Sequence, residues 1–105
     1  MKLDRNINLS GKGKYAVINM RKIDSDPRTP QELAEAILAH PEAVEWGCTG
    51  SESEFWLIKL KDKYAQDALV AYAEAAASDD PEYAAEVAQL SLRSGIASPF
   101  CKRPD

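Results

Sequence analysis

Residues 54–77 constrain the fold most strongly, because they join a dense apolar run to a long alanine-rich stretch through a short charged break. In the apolar run, side chains alternate between two faces that are both apolar, with Trp56, Ile58 and Leu60 on one and Phe55 and Leu57 on the other. A period of two, carried by aromatic and branched side chains, predicts a strand over residues 54–61. Apolar residues on both faces further predict that this strand is central in its sheet.

The alanine-rich half predicts a long amphipathic helix. Asp62 is placed to cap its first turn, because a carboxylate can accept hydrogen bonds from amides that have no helical partner. Apolar residues then recur at three- and four-residue steps and define one helical face: Tyr64, Ala65, Ala68, Leu69, Tyr72, Ala73 and Ala76. We interpret Trp56, Tyr64 and Tyr72 as residues of the core or its edge, since aromatic side chains at this spacing usually supply buried area.

The first half of the chain predicts one strand and one helix. Residues 15–23 alternate in the pattern of a strand. The sequence Thr-Pro-Gln-Glu that begins at Thr29 is a capping box with proline at the first helical position, so a helix is predicted to begin there. His40 is predicted to end this helix. The side chains expected to be buried on it are Leu33, Ala34, Ile37 and Leu38.

Two further elements follow from turn and capping residues. Residues 43–48 are predicted to form a short strand, and the turn sequence after them predicts a hairpin over residues 43–60 with Trp46 near its open end. Asp80 is predicted to cap a third helix, and Gly95 to end it. The side chains of that helix expected to face the core are Tyr83, Ala84, Val87, Leu90 and Ser91.

This order of elements, β-α-β-β-α-α, predicts an α+β fold: a small, mainly antiparallel sheet of about three strands with three helices packed on it. The 105 residues are expected to form a single domain. Residues 1–13 are predicted to be a flexible N-terminal arm, and residues 96–105 an irregular tail. Ile96 and Phe100 are expected to pin that tail onto the rest of the protein.

The residues carry no pattern typical of an active site, a metal site or a cofactor site. His40 is the single histidine, and we interpret it as a helix-terminal residue. Residues 11–14 lack the spacing of a phosphate-binding loop. Cys48 and Cys101 make neither a disulfide framework nor a zinc set, so both are expected to be free thiols. These features favour a non-enzymatic protein of a reducing cytoplasm, and no secretion signal or membrane-spanning segment is predicted.

Charge is unevenly distributed along the chain, and this pattern points to two alternative binding surfaces. Residues 29–58 contain six acids and no base. Within them, Glu42, Glu45, Trp46 and Glu52 are the candidate surface for a protein partner that carries positive charge, with the tryptophan as an anchor. If neither charged surface binds, the apolar edge around Tyr64, Tyr83 and Phe100 is the next candidate.

The alternative surface is basic. Residues 1–28 contain seven bases and three acids. If the first and third predicted strands are neighbours, one sheet face gathers Lys12, Lys14, Lys59 and Lys61. A basic sheet with an exposed aromatic ring can hold a nucleic-acid strand. The net charge of −4 and the absence of a ribonucleoprotein-type motif make this the second alternative, and a small-molecule enzyme the third.

Four segments together resemble small accessory proteins of tailed bacteriophages and prophages: MKLDRNINLSGKGKYAVINMRKI, EFWLIKLKDKYAQDALVAYAEAA, DPEYAAEV and FCKRPD. The resemblance carries no functional motif, so it assigns no role to any residue. It implies a protein of the host bacterial cytoplasm that acts by binding a host or phage protein or a nucleic acid. Inhibition of a host defence system is one form of such binding. A homodimer is compatible with this interpretation.

Overall fold

The computed structural model describes residues 13–102, which fall into two compact units that divide between Leu57 and Ile58. We refer to residues 13–57 as the N-terminal unit and to residues 58–102 as the C-terminal unit. The prediction of a single domain stays a prediction. Lys12 and almost all of the predicted N-terminal arm lie outside the described residues, as do the last three residues of the predicted tail.

The N-terminal unit holds a helix and a two-stranded antiparallel sheet. Its elements are β1 (Val17–Ile18), a 3₁₀ turn (Met20–Lys22), α1 (Pro30–Ala39), a second 3₁₀ turn (Pro41–Ala43) and β2 (Val44–Glu45). Val17 pairs with Glu45 and Ile18 with Val44. The pairing is extended by one backbone hydrogen bond of 2.8 Å, from the amide of Asn19 to the carbonyl of Ala43.

Strand β1 is much shorter than the strand predicted over residues 15–23. The side-chain oxygen of Asn19 accepts a hydrogen bond of 3.1 Å from the amide of Arg21. An asparagine that bonds to the backbone two residues on favours a turn over continued extension. The chain therefore leaves the strand at Asn19 and enters the 3₁₀ turn.

The predicted boundaries of α1 are confirmed. The Thr29 hydroxyl accepts a hydrogen bond of 3.1 Å from the amide of Glu32 and donates one of 3.2 Å to the carboxylate of Glu32. Proline occupies the first helical position, and the helix ends with His40, whose amide donates to the carbonyl of Ala36 over 2.9 Å. The Glu32 carboxylate thus accepts from the Thr29 hydroxyl, whereas the capping-box pattern predicted that it would accept from the Thr29 amide.

The buried face of α1 is rotated relative to the prediction. Ala36 is buried in a cluster with Ile23 and Ala43, and Leu33 packs against this cluster. Ala34 and Leu38 were predicted to be buried and are exposed, Leu38 at 81%. A face that runs through residues 33, 36, 37 and 40 follows the three- and four-residue helical steps, and it leaves positions 34 and 38 outside.

The strand predicted over residues 54–61 is absent, and so is the hairpin predicted over residues 43–60. Within residues 13–102 the sheet contains β1 and β2 alone. A turn lies at each end of the apolar run. At the first, the amide of Glu54 donates to the carbonyl of Ser51, and at the second, the amide of Asp62 donates to the carbonyl of Lys59. Trp56 was predicted to lie in the core or at its edge; it is 61% exposed, so it is not a core residue.

The C-terminal unit is a pair of helices that pack against each other, α2 (Ala65–Ala76) and α3 (Pro81–Ser91), followed by a 3₁₀ turn (Gly95–Ala97). Asp62 accepts a hydrogen bond of 2.8 Å from the amide of Tyr64, and α2 begins one residue later. The predicted cap of α3 is confirmed, because Asp80 accepts a bond of 3.1 Å from the amide of Tyr83.

The two helices of this unit meet through small side chains. On α2, Ala65 and Ala73 are buried, whereas Tyr64, Ala68 and Tyr72 are exposed, so the buried stripe is narrower than predicted. On α3, Ala84, Val87 and Ser91 are buried as predicted, and Tyr83 is exposed at 43%. Small residues at the contact let helix axes approach closely, and they leave the larger apolar side chains at the edges.

The α+β class is confirmed: the described residues, 13–102, form three helices and a sheet of two strands, where about three strands were predicted. No helix within residues 13–102 is long and apolar enough to span a membrane.

Removing either capping side chain, by Thr29→Ala or Asp80→Ala, is expected to lower the free energy of unfolding by about 1 kcal/mol, because a first-turn amide loses its acceptor. Urea unfolding followed by circular dichroism measures the change. Ser78→Ala is the matched control, since Ser78 is exposed and caps no helix. A capping variant as stable as this control would show that the cap contributes nothing.

Candidate functional site

The candidate acidic residues lie on one continuous segment of the N-terminal unit, which we call the acidic tryptophan loop (residues 42–56). It carries four glutamates and two tryptophans: Glu42, Glu45, Glu52, Glu54, Trp46 and Trp56. No lysine or arginine occurs between residues 29 and 58. The structure therefore places the predicted residues Glu42, Glu45, Trp46 and Glu52 in the same unit and on the same segment.

The first part of the loop is held by the core and the sheet of the N-terminal unit. Ala43 is fully buried, at 0% exposure, in the core cluster that also contains Ile23. Glu45 is held in the sheet by its pairing with Val17. Gly47 is buried and has a φ of 65°, a left-handed conformation that favours glycine. These constraints fix the backbone on both sides of Trp46.

The tip of the loop is held by its own hydrogen bonds. The Ser51 hydroxyl donates to the carbonyl of Cys48 over 2.7 Å, and the Ser51 amide donates to the same carbonyl over 3.0 Å. The Glu54 carboxylate accepts a bond of 3.0 Å from the amide of Gly50. A loop that is already ordered loses less conformational entropy when it binds a partner.

Both tryptophans expose more than half of their surface to solvent. Trp46 is 52% exposed and Trp56 is 61% exposed. Large aromatic side chains that a protein leaves exposed are frequent anchors of protein interfaces. The same segment carries four glutamates and no base, so it combines exposed aromatic side chains with negative charge.

His40 lies at the C-terminus of α1 between two carboxylates. Its Nε2 atom is 3.3 Å from Asp24 Oδ2, and its Nδ1 atom is 3.4 Å from Glu42 Oε1. Each ring nitrogen therefore lies within ion-pair distance of one carboxylate. These contacts favour a structural role for His40 at the helix terminus.

A cleft of about 360 Å³ lies beside α1. Its walls carry no lysine or arginine, and they are formed by Asp24, Ser25, Pro27, Glu32, Glu35, Ala36, Ala39 and His40. Ser25 makes no hydrogen bond with His40, so these side chains do not form a nucleophile–base pair of the kind that acyl transfer needs. Within residues 13–102, no three histidine, cysteine or acidic side chains are grouped to hold a metal ion.

The predicted basic sheet face lacks the third strand on which it depended, and whether its lysines share a surface stays a prediction. Lys12 lies outside the described residues, and Lys14, Lys59 and Lys61 do not lie in β1 or β2, which cover residues 17–18 and 44–45. Lys14 belongs to the N-terminal unit, where its Nζ atom is 5.6 Å from the ring centroid of Tyr15. Lys59 and Lys61 belong to the C-terminal unit. The convergence was predicted from a third strand, but residues 54–59 form no strand and a turn flanks each end of them.

A second exposed surface lies in the C-terminal unit, and we call it the apolar–basic segment (residues 92–102). Ser94 is fully buried, at 0% exposure, and its hydroxyl donates to the carbonyl of Ser91 over 2.9 Å. The Gly95 amide donates to the carbonyl of Leu60 over 2.8 Å. Gly95 therefore anchors a turn against the start of α2, whereas it was predicted to end α3.

Three apolar side chains of the apolar–basic segment face solvent. Leu92, Ile96 and Phe100 are 66%, 75% and 74% exposed. The expectation that Ile96 and Phe100 pin the tail onto the protein is therefore wrong, because the buried anchor consists of Ser94 and Gly95. Serine and glycine are common in turns, so composition alone gave no signal that they would hold the segment in place.

Two tyrosines form a contact between α2 and α3. The hydroxyls of Tyr72 and Tyr83 are 2.8 Å apart, and the rings meet edge to face with centroids 6.0 Å apart. This hydrogen bond, with burial and the negative charges of Asp80 and Glu86, raises the pKa of Tyr83 above its ordinary value. Tyr83 therefore stays neutral at physiological pH.

No protein-family model, curated protein or solved structure matches the chain. The function proposed below rests on the geometry and chemistry of the residues.

Gly95→Ala is expected to destabilise the C-terminal unit more than Gly50→Ala destabilises the N-terminal unit. Both glycines have a positive φ, of 56° and 83°. A Cβ atom at Gly95 would lie 3.0 Å from Gln66 Cβ and 3.1 Å from the carbonyl oxygen of Lys63, whereas nothing lies within 4 Å of one at Gly50. The backbone strain alone costs about 1–3 kcal/mol.

Urea unfolding of the two alanine variants measures the difference between them. Gly50→Ala measures the free energy that the left-handed conformation costs without crowding. Any further loss of unfolding free energy in Gly95→Ala therefore measures how closely the apolar–basic segment packs at its anchor. Equal losses in the two variants would show that the segment is not packed closely against α2.

Proposed function

We propose that the chain is a non-enzymatic binding module that attaches to a basic surface of a partner protein through the acidic tryptophan loop. The observation that carries this proposal is the exposure of Trp46 and Trp56, at 52% and 61%, on a hydrogen-bonded loop with four glutamates and no base. An exposed apolar surface surrounded by charge of one sign is characteristic of an interaction site.

The two kinds of side chain have different roles in this binding. The tryptophans supply apolar area, and burying such a side chain at the centre of an interface typically contributes most of the affinity. The glutamates attract lysine and arginine side chains and exclude acidic partners, which raises the rate of association and the specificity. Lysine or arginine of the partner can also stack on the face of Trp46 or Trp56.

The resemblance to phage accessory proteins supplies a setting for this activity. In that setting the partner is a protein of the host or the phage, in the bacterial cytoplasm, and binding that inhibits a host defence complex is one form of the function. The net charge of −4 and the acidic loop support a basic protein partner over nucleic acid.

The test is a comparison of three purified baits in a bacterial lysate, with captured proteins identified by mass spectrometry. The baits are the wild type, the loop variant Glu42→Lys/Glu45→Lys/Glu52→Lys, and the control Lys59→Glu/Lys61→Glu. We expect one captured protein to be retained by the wild type and the control and lost by the loop variant. For that protein, charge reversal is expected to lower the affinity by a factor of about 100.

A second variant separates the contribution of the apolar anchor from that of charge. Trp46→Ala is expected to weaken binding of the same protein by about 2 kcal/mol, with little change in salt dependence. If the loop variant and Trp46→Ala both bind like the wild type, the loop is not the binding surface. Binding of nucleic acid that weakens with salt and is lost in the Lys59→Glu/Lys61→Glu control would favour the alternative function.

A further inference from the structure

The apolar–basic segment exposes apolar surface that its own unit does not use. Leu92, Ile96 and Phe100 occur within nine residues, and each is at least 66% exposed. Consecutive turn hydrogen bonds run through the segment, from Ala97 to Ser94, from Ser98 to Gly95 and from Cys101 to Ser98. The apolar side chains are therefore held on an ordered backbone, as the anchors of an interface are.

The charge of this segment is opposite to that of most of the chain. Residues 87–102 contain Arg93 and Lys102 and no acid, whereas the whole chain has a net charge of −4. A basic and apolar surface favours a partner surface that is acidic and aromatic. The acidic tryptophan loop has that chemistry, because it combines two exposed tryptophans with four glutamates and contains no base.

We propose that the apolar–basic segment binds the acidic tryptophan loop of a second copy of this chain. This inference rests on the proposed function, since it identifies a second copy as one basic partner of the loop. Two copies can make the contact twice, once in each direction, and a closed pair of this kind is the commonest form of homo-oligomer.

The exposed areas limit the size of the interface that this association can form. Trp46, Trp56 and Phe100 are 52%, 61% and 74% exposed, so each presents on the order of 100 Å² of aromatic surface. With Leu92 and Ile96, two such contacts bury on the order of 1,000 Å², which is near the lower limit for a specific interface. The pair is therefore weak and depends on protein concentration and on salt.

Sedimentation equilibrium of the purified full chain tests this inference with two variants, each of which reverses the charge of one of the two surfaces. Variant one is Glu45→Lys/Glu52→Lys in the loop, and variant two is Arg93→Glu/Lys102→Glu in the segment. The wild type is expected to show an average mass that rises with concentration. Each variant alone is expected to weaken self-association at least tenfold, and an equal mixture of the two to restore it, because both contacts regain opposite charges.

Net charge is controlled in this design. Variant one changes the net charge from −4 to 0, since two Glu→Lys changes add four charges. A net charge of 0 reduces the electrostatic repulsion between two copies. If variant one still associates less than the wild type, the loss must come from the changed loop residues. Arg21→Glu/Lys22→Glu is the matched control for variant two, because it removes two exposed bases outside both surfaces. It is expected to associate like the wild type, and circular dichroism checks that every variant folds.

A wild type that stays monomeric at all concentrations overturns the inference, and so does a mixture of the variants that does not associate. A second copy is then not a partner of the loop. The proposed function fails separately, when the lysate partner is captured equally by the wild type and the loop variant. Loss of self-association in the Arg21→Glu/Lys22→Glu control would also overturn the inference, because net charge alone would then account for the effect.

Discussion

The packing of alanine-sized side chains is the constraint on which the rest of this structure depends. In the residues that the structure describes, five of the seven buried hydrophobic residues are alanines: Ala36, Ala43, Ala65, Ala73 and Ala84. Small side chains let helices and turns approach closely, but they bury little apolar area. The larger apolar side chains are left outside, and both candidate surfaces are built from them.

The exposed side chains are nevertheless held by ordered backbone. Hydrogen bonds within the loop and the sheet pairing of Glu45 fix the neighbourhood of Trp46. In the C-terminal unit, the buried Ser94 and Gly95 fix the turn that carries Ile96. Ordered backbone with exposed apolar side chains is the basis on which we propose that both surfaces bind a partner, and their opposite charges are the basis for the partner chemistry that we propose for each.

Sequence reasoning predicted the parts of the fold that local interactions determine. The cap at Thr29 and the cap at Asp80 depend on neighbouring residues alone, and both are confirmed. The strand over residues 54–61 required pairing across a hairpin with residues 43–48, but β2 pairs with β1 instead. An apolar pattern does not specify which partner a strand takes. The same limit explains why Trp56 was assigned to the core or its edge and why the lysines were expected to share a sheet face.

The proposed binding surface of the loop depends above all on how much of Trp46 and Trp56 is exposed to solvent. Single variants Trp56→Phe and Trp46→Phe leave one tryptophan each, and acrylamide quenching of its emission, measured in dilute protein, reports its access to solvent. We expect emission near that of a solvated indole and quenching that rises less than about twofold on unfolding in urea, because the two side chains are 52% and 61% exposed. Blue-shifted emission that is strongly protected from acrylamide until the protein unfolds would contradict this expectation.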